Sequence, residues 1–425
     1  MKKVFITLSI IFIVALAVFA YWYFSMSGNS GQRTTYGTPT QNNTFVPLNR
    51  PGTTNTGSTG GGNATTNTPS NNNTATLTPN QKAKIPTLRL ISNSPVGGYG
   101  ASTTASTTIV RWVDRGRGNV FQTSGITEEI DTLSNTILPR VYESSWNKNL
   151  TAFIGSVFQE NGLPSTLYAE MKAQASTTSA TPFILKGKNL PENIIGYATS
   201  PKKDKLFYMI RDNGSGVGYI STFEGKSVKE IFNTPLTQVN VDWPEENTIA
   251  ITTKGTASQG GYLYFVKPNT GVWSKIAGPI QGISARVSHD AKYAIISSTN
   301  NDTREISTNI YNVNKLNMGD AMVRTIADKC TWGNFYKEMV YCGVPTKNIS
   351  GTYPDDWYKG NVSFIDKVWQ INAATSEVHL ISSILDQSDR VIDAFNLGLD
   401  PRDTYLFFMN KNDLSLWSLD LVSTQ

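Results

Sequence analysis

A recurring turn-and-strand unit constrains the fold of this chain more than any other feature. After residue 84, short segments rich in Val, Ile, Phe, Tyr and Thr alternate with polar turns, which is typical of an all-β structure. Within that pattern, a polar turn of about four residues followed by an alternating apolar strand recurs, in four of five cases at intervals of 42 to 55 residues. The copies lie at 145–154, 200–209, 242–251, 288–296, 331–341 and 400–408.

A repeat of this length predicts a propeller, in which each turn joins the first two strands of a four-stranded blade. The 341 residues of 85–425, divided by seven, give about 49 residues per unit. A seventh unit precedes these six copies: the segments 108–113 and 119–123 flank the turn Arg115-Gly116-Arg117-Gly118. We therefore predict a seven-bladed β-propeller over residues 85–425, with six to eight blades compatible with the spacing.

The two ends of this region are predicted to share one blade. The last unit stops after its third strand, at 414–421, and the segment Leu88-Arg89-Leu90-Ile91-Ser92 is similar to the fourth-strand segment Val378-His379-Leu380-Ile381-Ser382. Adding 88–92 to the last unit would close the ring and leave no open sheet edge.

Two of the turns carry a family resemblance. Ser-Pro-Lys-Lys-Asp-Lys-Leu at 200–206 and Ser-His-Asp-Ala-Lys-Tyr at 288–293 resemble the Ser-Pro-Asp-Gly-Lys-x-Leu turn of TolB-like and WD40-like bacterial propellers. The resemblance covers residues 85–425 and implies the fold. Because the Gly-His and Trp-Asp signature of eukaryotic WD40 repeats is absent, it implies no ligand. Trp146, Trp243 and Trp332 recur at comparable positions and are predicted to pack in the core.

The first 24 residues predict a membrane anchor. Val4 to Phe24 are uncharged and mostly apolar, long enough as a helix to span a hydrocarbon core about 30 Å thick. Lys2 and Lys3 precede them, which places the N terminus in the cytoplasm and the rest outside. A cleaved signal peptide is the alternative, with small-residue sites ending at Ala17 and Ala20. The apolar run continues past both sites, which favours the single-pass anchor.

Residues 25–84 predict a disordered tether, because Thr, Asn, Gly, Ser and Pro dominate and cannot bury enough apolar surface to offset the entropy of ordering. Coil statistics give a reach of roughly 40 to 45 Å. The net charge of +5 arises here: residues 1–84 carry six basic and no acidic residues, which leaves 31 basic against 32 acidic residues, a net of −1, in 85–425. A propeller near neutrality offers no electrostatic case for nucleic acid.

Motifs for catalysis and metal binding are missing from the sequence. His289 and His379 are the only histidines, so a His-rich metal site is excluded. The motifs of zinc hydrolases, α/β-hydrolases and P-loop enzymes do not occur. Asp355 and Asp356 fall short of the six to eight oxygens that Ca²⁺ requires. We predict no catalytic residue, no metal site and no cofactor.

Cys330 and Cys342, 12 residues apart, flank a turn around residue 336. In an antiparallel hairpin centred there they would lie opposite each other, so we predict a cross-strand disulfide. An extracytoplasmic location permits it. Two buried thiols are the alternative.

A candidate binding face lies on a long loop of the sixth unit. Propellers bind through loops that join second to third strands, and the longest of these is 344–360. Aromatic residues beside carboxylates are enriched at recognition sites. The candidates in this loop are Tyr353, Asp355, Asp356, Trp357 and Tyr358, and Arg115 and Arg117 occupy the corresponding turn of the first unit. The alternative is that Trp357 and Tyr358 only fix the loop to its own blade.

Together these features suggest a non-catalytic interaction or scaffold module, anchored in the cell membrane, that presents its propeller outside to a protein or envelope glycan. The alternative is a propeller enzyme of hydrolase or lyase type that acts on glycan or peptide through channel carboxylates. A structural spacer is a third possibility. The sequence does not identify the partner or the oligomeric state.

Overall fold

The computed structural model describes residues 87–422, except 106, 126, 175–180, 301 and 348–350. The predicted anchor Val4 to Phe24 and tether 25–84 lie outside these residues. None of the helices in the described part of the chain has the length and apolar character needed to cross a membrane.

Seven four-stranded antiparallel sheets make up the structure, which confirms the predicted seven-bladed propeller. Blade 1 contains β2 (Val96–Thr103), β3 (Thr108–Asp114), β4 (Val120–Ser124) and β5 (Asp131–Ser134), and blade 2 contains β6 (Val141–Trp146), β7 (Ala152–Phe158), β8 (Pro164–Ala173) and β9 (Phe183–Asn189). Blade 3 contains β10 (Ile194–Thr199), β11 (Lys205–Asp212), β12 (Ser215–Thr222) and β13 (Lys229–Thr234). Blade 4 contains β14 (Val239–Glu245), β15 (Thr248–Thr253), β16 (Gly260–Val266) and β17 (Trp273–Gln281).

Blades 5 to 7 complete the ring and carry the described helical segments. Blade 5 contains β18 (Ser284–Val287), β19 (Tyr293–Thr299), β20 (Ile306–Asn312) and β21 (Asn317–Asp320). Blade 6 contains β22 (Cys330–Trp332), β23 (Met339–Pro345), β24 (Asp366–Asn372) and β25 (Val378–Ser382). Blade 7 contains β26 (Ala394–Leu399), β27 (Tyr405–Asn410), β28 (Leu416–Asp420) and β1 (Leu88–Ser92). The helical segments are a 3-10 turn at Ala327–Lys329, α1 (Asp355–Lys359) and α2 (Ile384–Ser388).

The recurring turn has one local geometry in several blades. The residue that opens it, Asn147, Ser200, Ser288 or Asp400, uses a side-chain oxygen to accept backbone N–H groups from the start of the next strand. Three residues further on, Leu150, Lys203, Ala291 and Asp403 have φ of 55°, 56°, 56° and 58°, the left-handed region. A short polar side chain thus satisfies the turn backbone and lets the strand begin at a fixed point.

The ring closes in the way that the sequence predicted. β1 pairs antiparallel with β28, with Leu88 opposite Leu419 and Leu90 opposite Trp417. Ile91 packs into a cluster formed by blade 7 and blade 1. The hydrophobic core lies in such layers between neighbouring blades, and Trp146, Trp243 and Trp332 are buried in three of them.

Cys330 and Cys342 pair across β22 and β23 and form a disulfide, as predicted. Trp332, in the same strand as Cys330, packs in the layer between blades 5 and 6. The bond therefore joins the first two strands of blade 6 beside the centre of the ring.

Candidate functional site

The connections from second to third strands, and from each blade to the next, lie on the same face of the ring, here called the upper face. A pocket of about 640 Å³ opens on this face above blades 2 to 5. Its rim includes Gln159 and Asn161 from the β7–β8 turn and Glu192 from the connection into β10. Its floor reaches the central channel, where the first strand of each blade runs. The volume is within the range of small-ligand sites.

Polar side chains from the first strands of three blades converge on the floor of the pocket: Glu143 of β6, Tyr197 of β10 and Arg286 of β18. Burial raises the pKa of Glu143, although Ser156, 3.4 Å from its Oε2, and the cations Arg286 and Lys254 oppose the shift. The Tyr197 hydroxyl is buried near Ser156 without a partner in hydrogen-bonding geometry. Burial also raises the pKa of Tyr197 well above its ordinary value.

Arg286 supplies the positive charge at the centre of the ring. Its Nη2 lies 3.2 Å from Asp328 Oδ1, and 41% of its side chain is exposed. Its Nε is buried and has no hydrogen-bond partner. Burial opposes the charge, but the carboxylates of Asp328 and Asp242 outweigh that effect and raise the pKa of Arg286. The pocket therefore carries charges of both signs on its floor.

The loop predicted as a binding face crosses the upper face and contacts three other blades. The Tyr353 carbonyl accepts a hydrogen bond from Thr299 of blade 5 at 2.8 Å, and Asp355 accepts one from the Ala257 N–H of blade 4 at 2.9 Å. Trp357 donates its indole N–H to Asp393, beside blade 7. The loop is thus attached to its neighbours and not only to its own blade.

Burial divides the predicted residues of this loop into two groups. Tyr353 and Trp357 are buried, at 2% and 4% exposure, and pack with Ile326 and Phe364. Tyr358 is 43% exposed, and its hydroxyl hydrogen-bonds Asp328 in the pocket wall. The aromatic surface that the loop presents is therefore Tyr358.

Arg115 and Arg117 lie in the β3–β4 turn, also on the upper face. Arg115 donates to the Tyr142 carbonyl at 3.3 Å, and Tyr142 lines the pocket. The Arg117 backbone N–H donates to Asp114, and its side chain is exposed. The two predicted surfaces thus approach the pocket through one residue each, Arg115 and Tyr358.

The pocket residues themselves were missed by the sequence reasoning. Glu143, Tyr197 and Arg286 stand two to four residues before the residue that opens the recurring turn, which is Asn147, Ser200 and Ser288 respectively. Polar residues at that position of an otherwise apolar unit are the signal that could have indicated them. No group of three or more His, Cys, Asp or Glu side chains within the described ranges is arranged to hold a metal ion.

Comparisons with known proteins bear on the architecture alone. No family model matches the chain, and no curated protein matches it. Among solved structures it is similar to an oligogalacturonate lyase from Vibrio parahaemolyticus, with 13% identity, a TM-score of 0.50, and coverage of 79% of this chain and 92% of that one. TolB from Acinetobacter baumannii matches with 9% identity, a TM-score of 0.40, and coverage of 75% and 78%. Identities this low show the fold alone. In fold, the protein is a seven-bladed β-propeller.

Proposed function

We propose that the protein is a non-catalytic binding module that takes a peptide segment of an envelope protein into the upper-face pocket. The observation that carries the proposal is the convergence of Glu143, Tyr197 and Arg286 from three blades. Buried polar atoms without partners, such as Tyr197 Oη and Arg286 Nε, are costly. A ligand that donates and accepts hydrogen bonds there would remove that cost.

The mixed charge of the pocket favours peptide over neutral glycan. Arg286 and Lys254 are cations, whereas Glu143 and Asp328 are carboxylates. A peptide can supply both signs through its side chains and termini, and the backbone amides fit the Asn and Gln side chains at the rim. A neutral sugar would give the charged groups of the pocket no ionic partner besides one another.

We propose that this module acts outside the cell membrane, tethered through Val4 to Phe24. The disulfide between Cys330 and Cys342 supports the location, because disulfides persist in oxidising compartments. The tether would let the propeller search roughly 40 to 45 Å for its partner. Protease added to intact cells should remove the propeller if the topology is right and spare it if the propeller is cytoplasmic.

The binding test uses the detergent-solubilised full-length protein on an array of short acidic, basic and neutral peptides, beside a panel of envelope glycans. Arg286→Gln should weaken binding of the best peptide about 10- to 100-fold, the effect of losing a charged hydrogen bond. Arg324→Gln is the matched control, because Arg324 also pairs with an aspartate and its side chain is 47% exposed, but it lies on the outer edge of blade 5.

Equal peptide binding by wild type and Arg286→Gln would refute the pocket as the site. Selective binding of a glycan would replace the peptide as the ligand class. Turnover of any probe that Glu143→Gln abolishes would show that the protein is an enzyme, the alternative that the sequence left open.

A further inference from the structure

Below the loop of blade 6 lies a charged cluster that the proposed binding site does not use. Lys329, at the end of the 3-10 turn, is fully buried together with two carboxylates. Its Nζ lies 2.8 Å from Asp366 Oδ2 and contacts Asp393 Oδ1. Asp366 begins β24 of blade 6, and Asp393 directly precedes β26 of blade 7, so the cluster bridges two blades.

The surroundings of the lysine are apolar and aromatic. The rings of Trp357 and Phe364 lie 5.3 and 5.0 Å from Nζ, and all three ionisable side chains have an exposure of 0%. A buried ion cluster without water costs free energy that its internal attraction must repay. Converting an amine and a carboxyl group into a neutral amide removes that cost.

Hydrogen bonds fix the Asp393 carboxyl group, whose carbon a nucleophile would attack. Its Oδ2 accepts the Trp357 indole N–H at 3.0 Å and the Phe364 backbone N–H at 3.1 Å. Its Oδ1 contacts Lys329 and lies farther from the indole nitrogen, at 3.3 Å. Donors on a carboxyl oxygen also stabilise the negative charge that develops when its carbon is attacked. Fixed proximity of this kind makes an otherwise slow reaction effectively unimolecular.

Asp366 has the features of a proton carrier. Burial, the main cause, and the neighbouring charge of Asp393 raise the pKa of Asp366 to about 6, against the opposing effect of Lys329. Its Oδ2 accepts the Ala394 N–H at 2.6 Å, whereas its Oδ1 is buried without a partner. A protonated carboxyl group there can donate to the oxygen of Asp393 during attack and recover its proton afterwards.

From this arrangement we propose that Lys329 and Asp393 form an intramolecular isopeptide bond that joins blade 6 to blade 7. The Lys329 ammonium first passes a proton to the Asp393 carboxylate. The neutral amine then attacks Asp393 Cγ, while Asp366 donates its proton to the carbonyl oxygen and takes one from the nitrogen. Asp366 then moves the proton of one hydroxyl group of the tetrahedral intermediate to the other, the C–O bond to that second oxygen breaks, and water leaves. One ammonium and one carboxylate yield one amide and one water, and Asp366 ends as it began.

The test is mass spectrometry of the purified full-length protein. The intact mass should be one water lower than the disulfide-bonded sequence requires. After reduction and trypsin, the modified Lys329 should resist cleavage, so that residues 325–337 appear joined to 391–402 as one branched peptide. Separate linear peptides 325–329 and 391–402 would overturn the proposal and leave the cluster as an ion pair. A branch to 360–367, which contains Asp366, would overturn the assignment of Asp393.

Two lysine variants and one aspartate variant sharpen the result. Lys329→Arg keeps the charge and should abolish the branched peptide. Lys411→Arg is the matched control, because Lys411 lies against Trp357 at 5.2 Å and should leave the branch intact. Asp366→Asn can still accept the Ala394 N–H but cannot carry the proton, and should give folded protein with unlinked peptides. A branch that persists in Lys329→Arg would refute the proposed nucleophile.

Discussion

Closure of the ring by β1 can be tested at two adjacent residues of that strand. Ile91 is 4% exposed and packs between blade 7 and blade 1, whereas Leu90 is 37% exposed on the other side of the strand. Ile91→Ala removes three carbons, worth about 2.4 kcal/mol at roughly 0.8 kcal/mol each, and leaves a cavity. We expect a loss of about 3 kcal/mol in the free energy of unfolding.

Leu90→Ala is the control and should change stability by about 0.5 kcal/mol or less, because an exposed side chain gains little by burial. The assay is urea unfolding of both variants and the wild type followed by tryptophan fluorescence, with the midpoints compared at an unchanged slope. If the two variants lose the same stability, or if Ile91→Ala loses nothing, β1 does not contribute to the core and the ring is held in another way.

Three further outcomes are expected from other parts of the propeller. Replacing Cys330 and Cys342 together by Ala should cost about 3 kcal/mol, from the entropy of opening a loop of 12 residues; a reducing agent that leaves wild-type unfolding unchanged would contradict this. Burial lowers the pKa of His289, so its contribution to stability is present above the unfolded pKa of about 6.5 and is lost as pH falls from there towards the lower pKa of the folded protein. His289→Gln should therefore flatten the decline in stability between about pH 7 and 5, with His379→Gln as the control, and parallel curves for wild type and His289→Gln would refute it. Trp357→Phe keeps an aromatic ring but deletes the donor to Asp393, and should cost about 1 to 3 kcal/mol and speed proteolysis of the loop 346–365; unchanged cleavage would show that the ring alone holds the loop.

The candidate site was less accessible from the sequence than the fold. The loop around Trp357 stood out because aromatic and acidic residues crowd a long connection, but its anchors, such as Thr299 and Ala257, lie 54 and 98 residues away. Glu143, Tyr197 and Arg286 each look like an ordinary polar residue of a short strand. Their convergence follows from the ring, which brings the first strands of separate blades to a common axis.

The sequence by itself determined the features that repeat or act locally. The turn chemistry recurs with its opening Ser, Asp or Asn, so a ring of six to eight blades, with seven preferred, could be read from its period. The similarity of 88–92 to a fourth strand predicted closure, and the spacing of Cys330 and Cys342 predicted a cross-strand pair. These signals are local because a strand and its turn need only neighbouring residues to specify them.

Only the tertiary structure decided which side chains meet across blades. Lys329, Asp366 and Asp393 are separated by 37 and 27 residues in the chain, and nothing near any of them in the sequence marks it as buried. An ionisable residue in an upper-face connection, or at the end of a strand beside one, would ordinarily be exposed. Folding of the blade 6 loop over these three groups excludes water from them, and exclusion of water determines whether such groups remain solvated ions or become partners in a reaction.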